Sequence, residues 1–284
     1  APLAHAPLAS PAGIARFSLQ PFRPILPMLA SPSEDIAHAM ETLGEAALDV
    51  KLDGARIQVH KDGTDVRVYS RSLHDVSARV PEIVEVVTAL PARTLVLDGE
   101  AIALGASGRP LPFQTTMRRF GRRQNVDAMR AELPLTPLFF DVVRVDDEDL
   151  LDAPLRRRAE ALEASVPAGC RAQRTITDDP AEAQRLYDAT LATGHEGLVA
   201  KSLTGGYEAG HRGDAWLKIK PAHTLDLVVL AVERGSGRRS GWLSNLHLGA
   251  RDATGGGFAF LGKTFKGMTD AMLAWQTEKL RALA

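Results

Sequence analysis

Lys51-Leu52-Asp53-Gly54 sets a lysine between two acids, Asp49 and Asp53, each two residues away. An amine is a nucleophile only when neutral, so its pKa must fall well below the ordinary ~10.4. Flanking carboxylates do the reverse, whereas nearby cations or a bound metal would lower it. The pattern therefore fits either a solvated strand lysine or a nucleophile whose basic neighbours come from distant parts of the chain. Such neighbours exist. Trp216-Leu217-Lys218-Ile219-Lys220 alternates so that both lysines share one face, and paired ammonium groups are what a triphosphate needs. Asp98-Gly99-Glu100 and Glu196-Gly197-Leu198-Val199-Ala200-Lys201 bring further acids and another lysine. Oxygen ligands of this kind suit Mg²⁺, which takes one or two carboxylates plus substrate phosphates.

The elements that must position these groups are legible. Leu48–Asp53 alternates with period two, Leu48, Val50 and Leu52 on one face and Asp49, Lys51 and Asp53 on the other. Ile57–His60 and Val66–Ser70 flank Lys61-Asp62-Gly63-Thr64 as a hairpin. Leu95–Leu104 and Leu138–Val145 read as strands, as do Leu198–Lys201 and Trp216–Lys220 across a glycine-rich loop. Helices are expected from Ser31-Pro32-Ser33-Glu34 to Gly44, after Pro81, over 113–132, from Asp152-Ala153-Pro154 to Ala164, and from Asp179-Pro180 to Gly194. Beyond Pro221 the texture turns to β, with strands at Leu225–Val232, Leu243–Ala250 and Phe258–Phe265, a basic glycine loop at Arg234–Gly241, and a helix from Thr269 to Leu283. Three strands and a helix make an incomplete small barrel. The expected division is an extended lead-in over 1–30, a first domain over 31–221 and the partial barrel over 222–284.

Composition narrows the class. With 45% hydrophobic and 24% charged residues, the 284-residue chain is in the ordinary globular range. No apolar run approaches the ~20 residues of a membrane helix, and the Ala/Pro-rich start is no signal peptide. Its one cysteine, Cys170, excludes internal disulfides and four-cysteine zinc sites, and suits a reducing cytosol. Net charge is −1, but residues 217–284 hold 10 Lys+Arg against 5 Asp+Glu. That asymmetry points to a polyanion partner for the C-terminal portion.

In identity, order and rough spacing, Lys51–Arg56, Ser70-Arg71, Asp98–Glu100, Phe140-Asp141, Glu196–Lys201 and Trp216–Lys220 resemble motifs I, Ia, III, IIIa, IV and V of covalent nucleotidyltransferases. Within that superfamily the chain is similar to bacterial ATP-dependent DNA ligases. The likeness runs from about residue 20 to 284, including Arg23–Ala30 and Gly262–Gly267. It implies an α+β fold: an ATP-grasp-like adenylation (nucleotidyltransferase) domain of antiparallel sheets with flanking helices, followed by a partial all-β OB-fold domain.

The same resemblance implies roles. Lys51 would attack the α-phosphate of ATP and carry AMP as a covalent adduct. Asp49 would sit by the adenine and disfavour GTP. Arg56 and Arg71 would contact the ribose or phosphates, Arg71 also holding the nick 5′-phosphate, and Glu100 would bind the ribose hydroxyl. Phe140 and Val199 would flank the adenine. Asp53 and Glu196 would organise Mg²⁺; Lys218 and Lys220 would hold the α-phosphate, while Lys201 and Arg212 complete the nucleotide set. Arg118, Arg119 and Arg122, and Arg238 and Arg239 in the glycine loop, would meet the phosphates of nicked double-stranded DNA. The implied enzyme is a cytoplasmic monomer. Set against that likeness, the sequence is expected to lack the last barrel strands, where ligases carry a basic motif VI, and an N-terminal DNA-binding domain. The expectation is slow self-adenylation with sealing of a pre-adenylated nick retained. An RNA ligase or mRNA-capping guanylyltransferase shares Lys-x-Asp-Gly and the later motifs, but Asp49 and the ligase-like Glu196–Lys201 block weigh against it. One cysteine cannot build the zinc module of NAD⁺-dependent ligases, and a non-catalytic nick-binding module is the rival of another class.

Overall fold

A computed structural model describes residues 19–222 and 224–283. The Ala/Pro-rich start of the lead-in lies outside the described residues. Contacts divide the chain into two compact units, Ala1–Pro221 and Ala222–Ala284.

The first unit holds two five-stranded sheets. One joins β1 (Leu29–Pro32), β10 (Arg212–Ile219), β9 (Gly197–Ser202), β2 (Ala46–Lys51) and β8 (Arg174–Thr177), in that order. Its pairings are antiparallel apart from β1 with β10. The other joins β4 (Asp65–Ser70), β3 (Ala55–Asp62), β5 (Thr94–Ala103), β6 (Leu135–Val145) and β7 (Glu148–Asp149), antiparallel throughout.

Side-chain alternation explains why the sheets face each other. On the first sheet Leu48, Val50, Leu198, Ala200, Leu217 and Ile219 point outward, against α1 (Ile36–Leu43) and α6 (Pro180–Ala192). On the second, Ile57, Leu97 and Phe139 pack against α2 (Pro81–Thr88), α3 (Phe113–Phe120) and α5 (Leu155–Ser165). The inner faces meet through Met28, Val96, Val143, Tyr207 and Trp216. The result is helix, sheet, sheet, helix. With both faces covered, β2 is buried over almost its whole length, as a central strand is. A polar residue there, such as Asp49, must be paired or face a cavity.

Several boundaries differ from expectation. Ser31 and Pro32 end β1, and α1 starts later, where Asp35 accepts a bond from the His38 amide. The 113–132 stretch is two helices, α3 and α4 (Val126–Glu132), because burial of Arg119 and Phe120 anchors the first and Asn125 takes a left-handed φ of 54° before the second. β2 stops at Lys51, leaving Asp53 exposed in the turn that follows. Short edge strands β1, β7 and β8 were not signalled. Among the described residues no helix is long and apolar enough to cross a membrane.

The second unit is a three-stranded antiparallel sheet of β11 (Val228–Arg234), β12 (Leu243–Asp252) and β13 (Gly257–Thr264), followed by α7 (Asp270–Arg281). Leu273, Ser244, Gln276 and Thr277 are buried, and Thr277 and Gln276 bond the backbone of Leu243. Val228, Val229, Leu230, Phe258, Phe260 and Leu261 stay exposed.

Candidate active site

Between the two sheets lies a cavity of about 250 Å³. The first sheet gives it Asp49 and Lys51 from β2, Val199 and Lys201 from β9, and Arg212, Trp216 and Lys218 from β10, with Lys220 just beyond. Leu29 and Ala30 of β1 close one side. The second sheet gives Arg56 from β3, Glu100 from β5 and Phe140 from β6, with Arg71 after β4, while Glu196 precedes β9 of the first sheet. Antiparallel register aligns the rows. Arg174, Asp49, Val199 and Lys218 lie opposite one another across four strands, and Lys51 is opposite Gly197. Strand lysines two apart therefore reach one space.

At one end the charges belong to phosphate-sized chemistry. Glu196 is ion-paired with Lys51, and its other oxygen is 2.8 Å from the Lys220 ammonium. Burial would raise Glu196, but bonds from Lys220 and Lys51 outweigh it and hold the carboxyl below its ordinary value. Lys218 is pushed down by burial and by the charges of Arg212, Lys51 and Lys220, so these four cations lie within electrostatic reach of one another. Asp53 is raised by burial and by Glu196, which marks two neighbouring carboxylates. Arg212 donates to the Ala30 carbonyl, and Arg71 is exposed at the cavity wall.

The other end is lined by aromatic rings. Phe140 meets Trp216 edge to face at 6.1 Å. The Arg56 guanidinium stacks over Phe140 at 4.6 Å, while Asp98 holds it through two bonds of 2.6 Å. Tyr207 donates to the same Asp98 at 2.6 Å. The Lys201 ammonium lies 4.0 Å from the Trp216 ring centre, 4.4 Å from that of Phe140 and 2.7 Å from Asp49. Phe140 follows core-facing Phe139 on β6, so alternation turns it to the cavity, and a β-bulge there leaves it unpaired. Asp98 pairs with Asp141 and Gly99 with Phe139, so Phe140 has no partner on β5.

Asp49 is nearly fully buried. Arg174 grips both of its oxygens, Nε at 2.5 Å and Nη2 at 2.7 Å. Burial acts to raise this carboxyl, but Lys201 and Arg174 together bring it below its ordinary value. Glu100 has weaker support. Burial raises it to about 7, Asp98 adds to that, and Arg56 and Lys51 only partly offset it. Close approach of backbone is also required. A Cβ on Gly54 would strike the Ala101 carbonyl, and one on Gly197, at φ +145°, would strike that of Ile219.

Residues 27–220 match the family described as ATP dependent DNA ligase domain. The chain belongs to the ATP-dependent DNA ligase domain family. It is 61% identical over its whole length to a "Probable DNA ligase" of Anaeromyxobacter sp. (strain Fw109-5) and 58% identical over 96% of its length to one of Mycobacterium sp. (strain KMS). It spans about half the length of these curated relatives, 55% and 52% respectively. Among solved structures, a mycobacterial DNA ligase D complexed with ATP and MES superposes with a TM-score of 0.56 at 25% identity, over 91% of this chain and 78% of that one.

In this ligase domain twelve of the expected nucleotide-site residues line one cavity, from Asp49 to Lys220, and Asp53 sits beside Glu196. The arginine cluster needs correction. Arg118 and Arg122 are exposed, but Arg119 is fully buried, bonded to the Arg79 carbonyl at 2.8 Å and to Glu82 at 2.6 Å. It caps the packing of α3 on α2 and has no surface to offer DNA. In the second unit Arg238 is exposed and 3.3 Å from Asp270, and Arg239 bonds the Phe265 carbonyl. Residues not foreseen in the ligase site are Trp216 as an aromatic wall, Asp98 and Tyr207 as the clamp on Arg56, and Arg174. Trp216 had a signal, since it lies on the same strand face as Lys218.

Proposed function

We propose that the chain is the catalytic core of an ATP-dependent DNA ligase. The observation that carries this reading is the convergence of Lys51 with Glu196, Lys218 and Lys220 at one end of a cavity whose other end is lined by Phe140, Trp216 and Asp49. A purine fits the aromatic end; phosphates fit the cationic end. Lys51 Nζ, as the free amine, attacks the α-phosphate of ATP; a P–N bond forms, the bond to pyrophosphate breaks and the proton on nitrogen passes to water, with Lys218 and Lys220 neutralising the phosphate oxygens. AMP then passes to the 5′-phosphate of a nick, which frees Lys51. Finally the 3′-hydroxyl attacks that phosphate and AMP departs. Each step is an in-line displacement, so positioning and charge neutralisation supply the catalysis.

The remaining groups have roles by location. Asp49 accepts the exocyclic amine of adenine, Phe140 and Val199 flank the base, Glu100 takes the ribose, and Arg56, Arg71, Lys201 and Arg212 complete the cradle. Asp53 and Glu196, neighbouring carboxylates at the cationic end, would hold Mg²⁺, which takes one or two carboxylates beside phosphate oxygens. When bound it would neutralise charge on the triphosphate. Nicked double-stranded DNA is the partner, met by Arg118 and Arg122 on the first unit and Arg238 and Arg239 on the second, which would be part of an OB-fold barrel. Intact-mass analysis after incubation with ATP and Mg²⁺ tests the reading. The chain gains one AMP and Lys51→Ala gains none; a gain that survived the substitution would move the nucleophile elsewhere.

A further inference from the structure

Arg174 belongs to none of the sequence motifs, yet its guanidinium joins both sheets. Nε and Nη2 hold the two oxygens of Asp49 on β2, and Nη2 also donates to the bulged Phe140 carbonyl on β6 at 2.7 Å. We infer that Arg174 is the positioning residue that sets purine selectivity, by holding Asp49 as a pure acceptor and fixing Phe140 in register with it. The inference rests on the ATP reading of this cavity.

The acceptor count carries the argument. An ionised carboxylate has about four acceptor positions. Arg174 takes one on each oxygen and the Lys201 ammonium lies 2.7 Å from Oδ2, so Oδ1 is the oxygen left open to a donor in the cavity. Adenine presents an amine there and guanine a carbonyl oxygen, so an acceptor-only Asp49 attracts the first and repels the second. A protonated Asp49 would reverse the choice, because its O–H could donate to the guanine oxygen. Burial pushes Asp49 towards that form, and only the two cations prevent it. The charged groups around the site are Arg174 on β8, Lys201 on β9, Asp141 on β6 with its partner Arg158 on α5, and Glu163, also on α5. Lys201 shares the charge duty and also lies over two rings, whereas Arg174 alone grips both oxygens of Asp49 and reaches Phe140 as well. The bond to Phe140 links the stacking surface to the same anchor.

The test is calorimetric titration of the 284-residue chain with ATP and with GTP, at neutral and mildly acid pH. The unsubstituted chain is expected to prefer ATP at both. Arg174→Met is expected to weaken ATP about tenfold, to narrow the ATP-over-GTP ratio by at least that factor, and to narrow it further as pH falls. A role in folding alone would lower affinity for both nucleotides alike and leave the ratio flat with pH. In an Asp49→Asn background the same substitution is expected to change the ratio by less than about twofold, because its target is gone. Should Arg174→Met not fold, Arg174→Lys is read instead. It keeps a charge beside Asp49 but lacks the fork that also reaches Phe140, so the ratio narrows by a smaller factor. An unsubstituted chain that bound no ATP would overturn the ATP reading and this inference with it. A chain that preferred ATP, with variants that kept the same ratio at both pH values, would overturn the inference alone.

Discussion

Lys51 is ion-paired with Glu196, the residue that precedes its register partner Gly197 on β9. The pair separates the two duties of the lysine, charge and nucleophilicity. Lys51→Arg keeps a cation for Glu196 but supplies a guanidinium that cannot be deprotonated. Stability is expected to stay within about 0.5 kcal/mol while AMP transfer to the protein disappears. Thermal melting beside intact-mass analysis reads both, and an AMP adduct on the arginine variant would contradict the assignment.

Arg119 and its surface neighbours should behave oppositely. Arg119→Met strands Glu82 in the interior and is expected to cost about 3–5 kcal/mol in urea unfolding. Arg118→Ala and Arg122→Ala should leave unfolding nearly unchanged. Instead each is expected to weaken nicked-DNA binding and reduce the slope of log affinity against log salt by about 1. Equal slopes for the variants and the parent would remove these arginines from the DNA surface.

Glu100 predicts a pH dependence. Its carboxyl titrates near 7 in the fold against an ordinary 4.5, chiefly because it is buried. Between those values the folded protein holds a proton that the unfolded chain has released, so stability falls as pH rises through the window. Glu100→Gln removes that dependence. The advantage of the glutamate over the glutamine in urea midpoint is expected to shrink from about pH 5 to about pH 8; a constant difference would mean the carboxyl titrates normally.

Gly197→Ala places a methyl against the Ile219 carbonyl at a backbone angle few side chains adopt. The expected cost is roughly 2–4 kcal/mol, seen as a melting temperature several degrees lower. Because Gly197 pairs with Lys51, adenylation should fall even well below the melting point. Normal adenylation by a destabilised variant would separate the glycine from the geometry of the lysine.

What was legible in the chain was what period-two alternation writes plainly. Asp49 with Lys51, Lys218 with Lys220, and Asp98 with Glu100 each share a face because every strand alternates, and the motif likeness told which faces converge. What stayed hidden depends on tertiary context. β8 is four residues long and carries no clear alternation, so nothing local marked Arg174 as the partner of Asp49. The bulge that leaves Phe140 without a partner on β5 is a register shift between strands, invisible in Leu138-Phe139-Phe140. Arg118, Arg119 and Arg122 looked alike, and only the packing of α3 on α2 sends Arg119 inward. Prolines around Leu29–Pro32 hid a strand whose partner lies far along the chain.

That strand pairing reaches into how the protein is made. Leu29 lies beside Arg212, and the cavity takes its walls from residues as far apart as Pro27 and Lys220. Closing so long a loop must precede the contacts that reward it, which slows folding. A nascent chain ending before β10 would have Lys51 but neither Trp216 nor the two late lysines. The nucleotide cradle is therefore complete only when β10 is in place, because its aromatic wall and its late lysines come from the end of the unit.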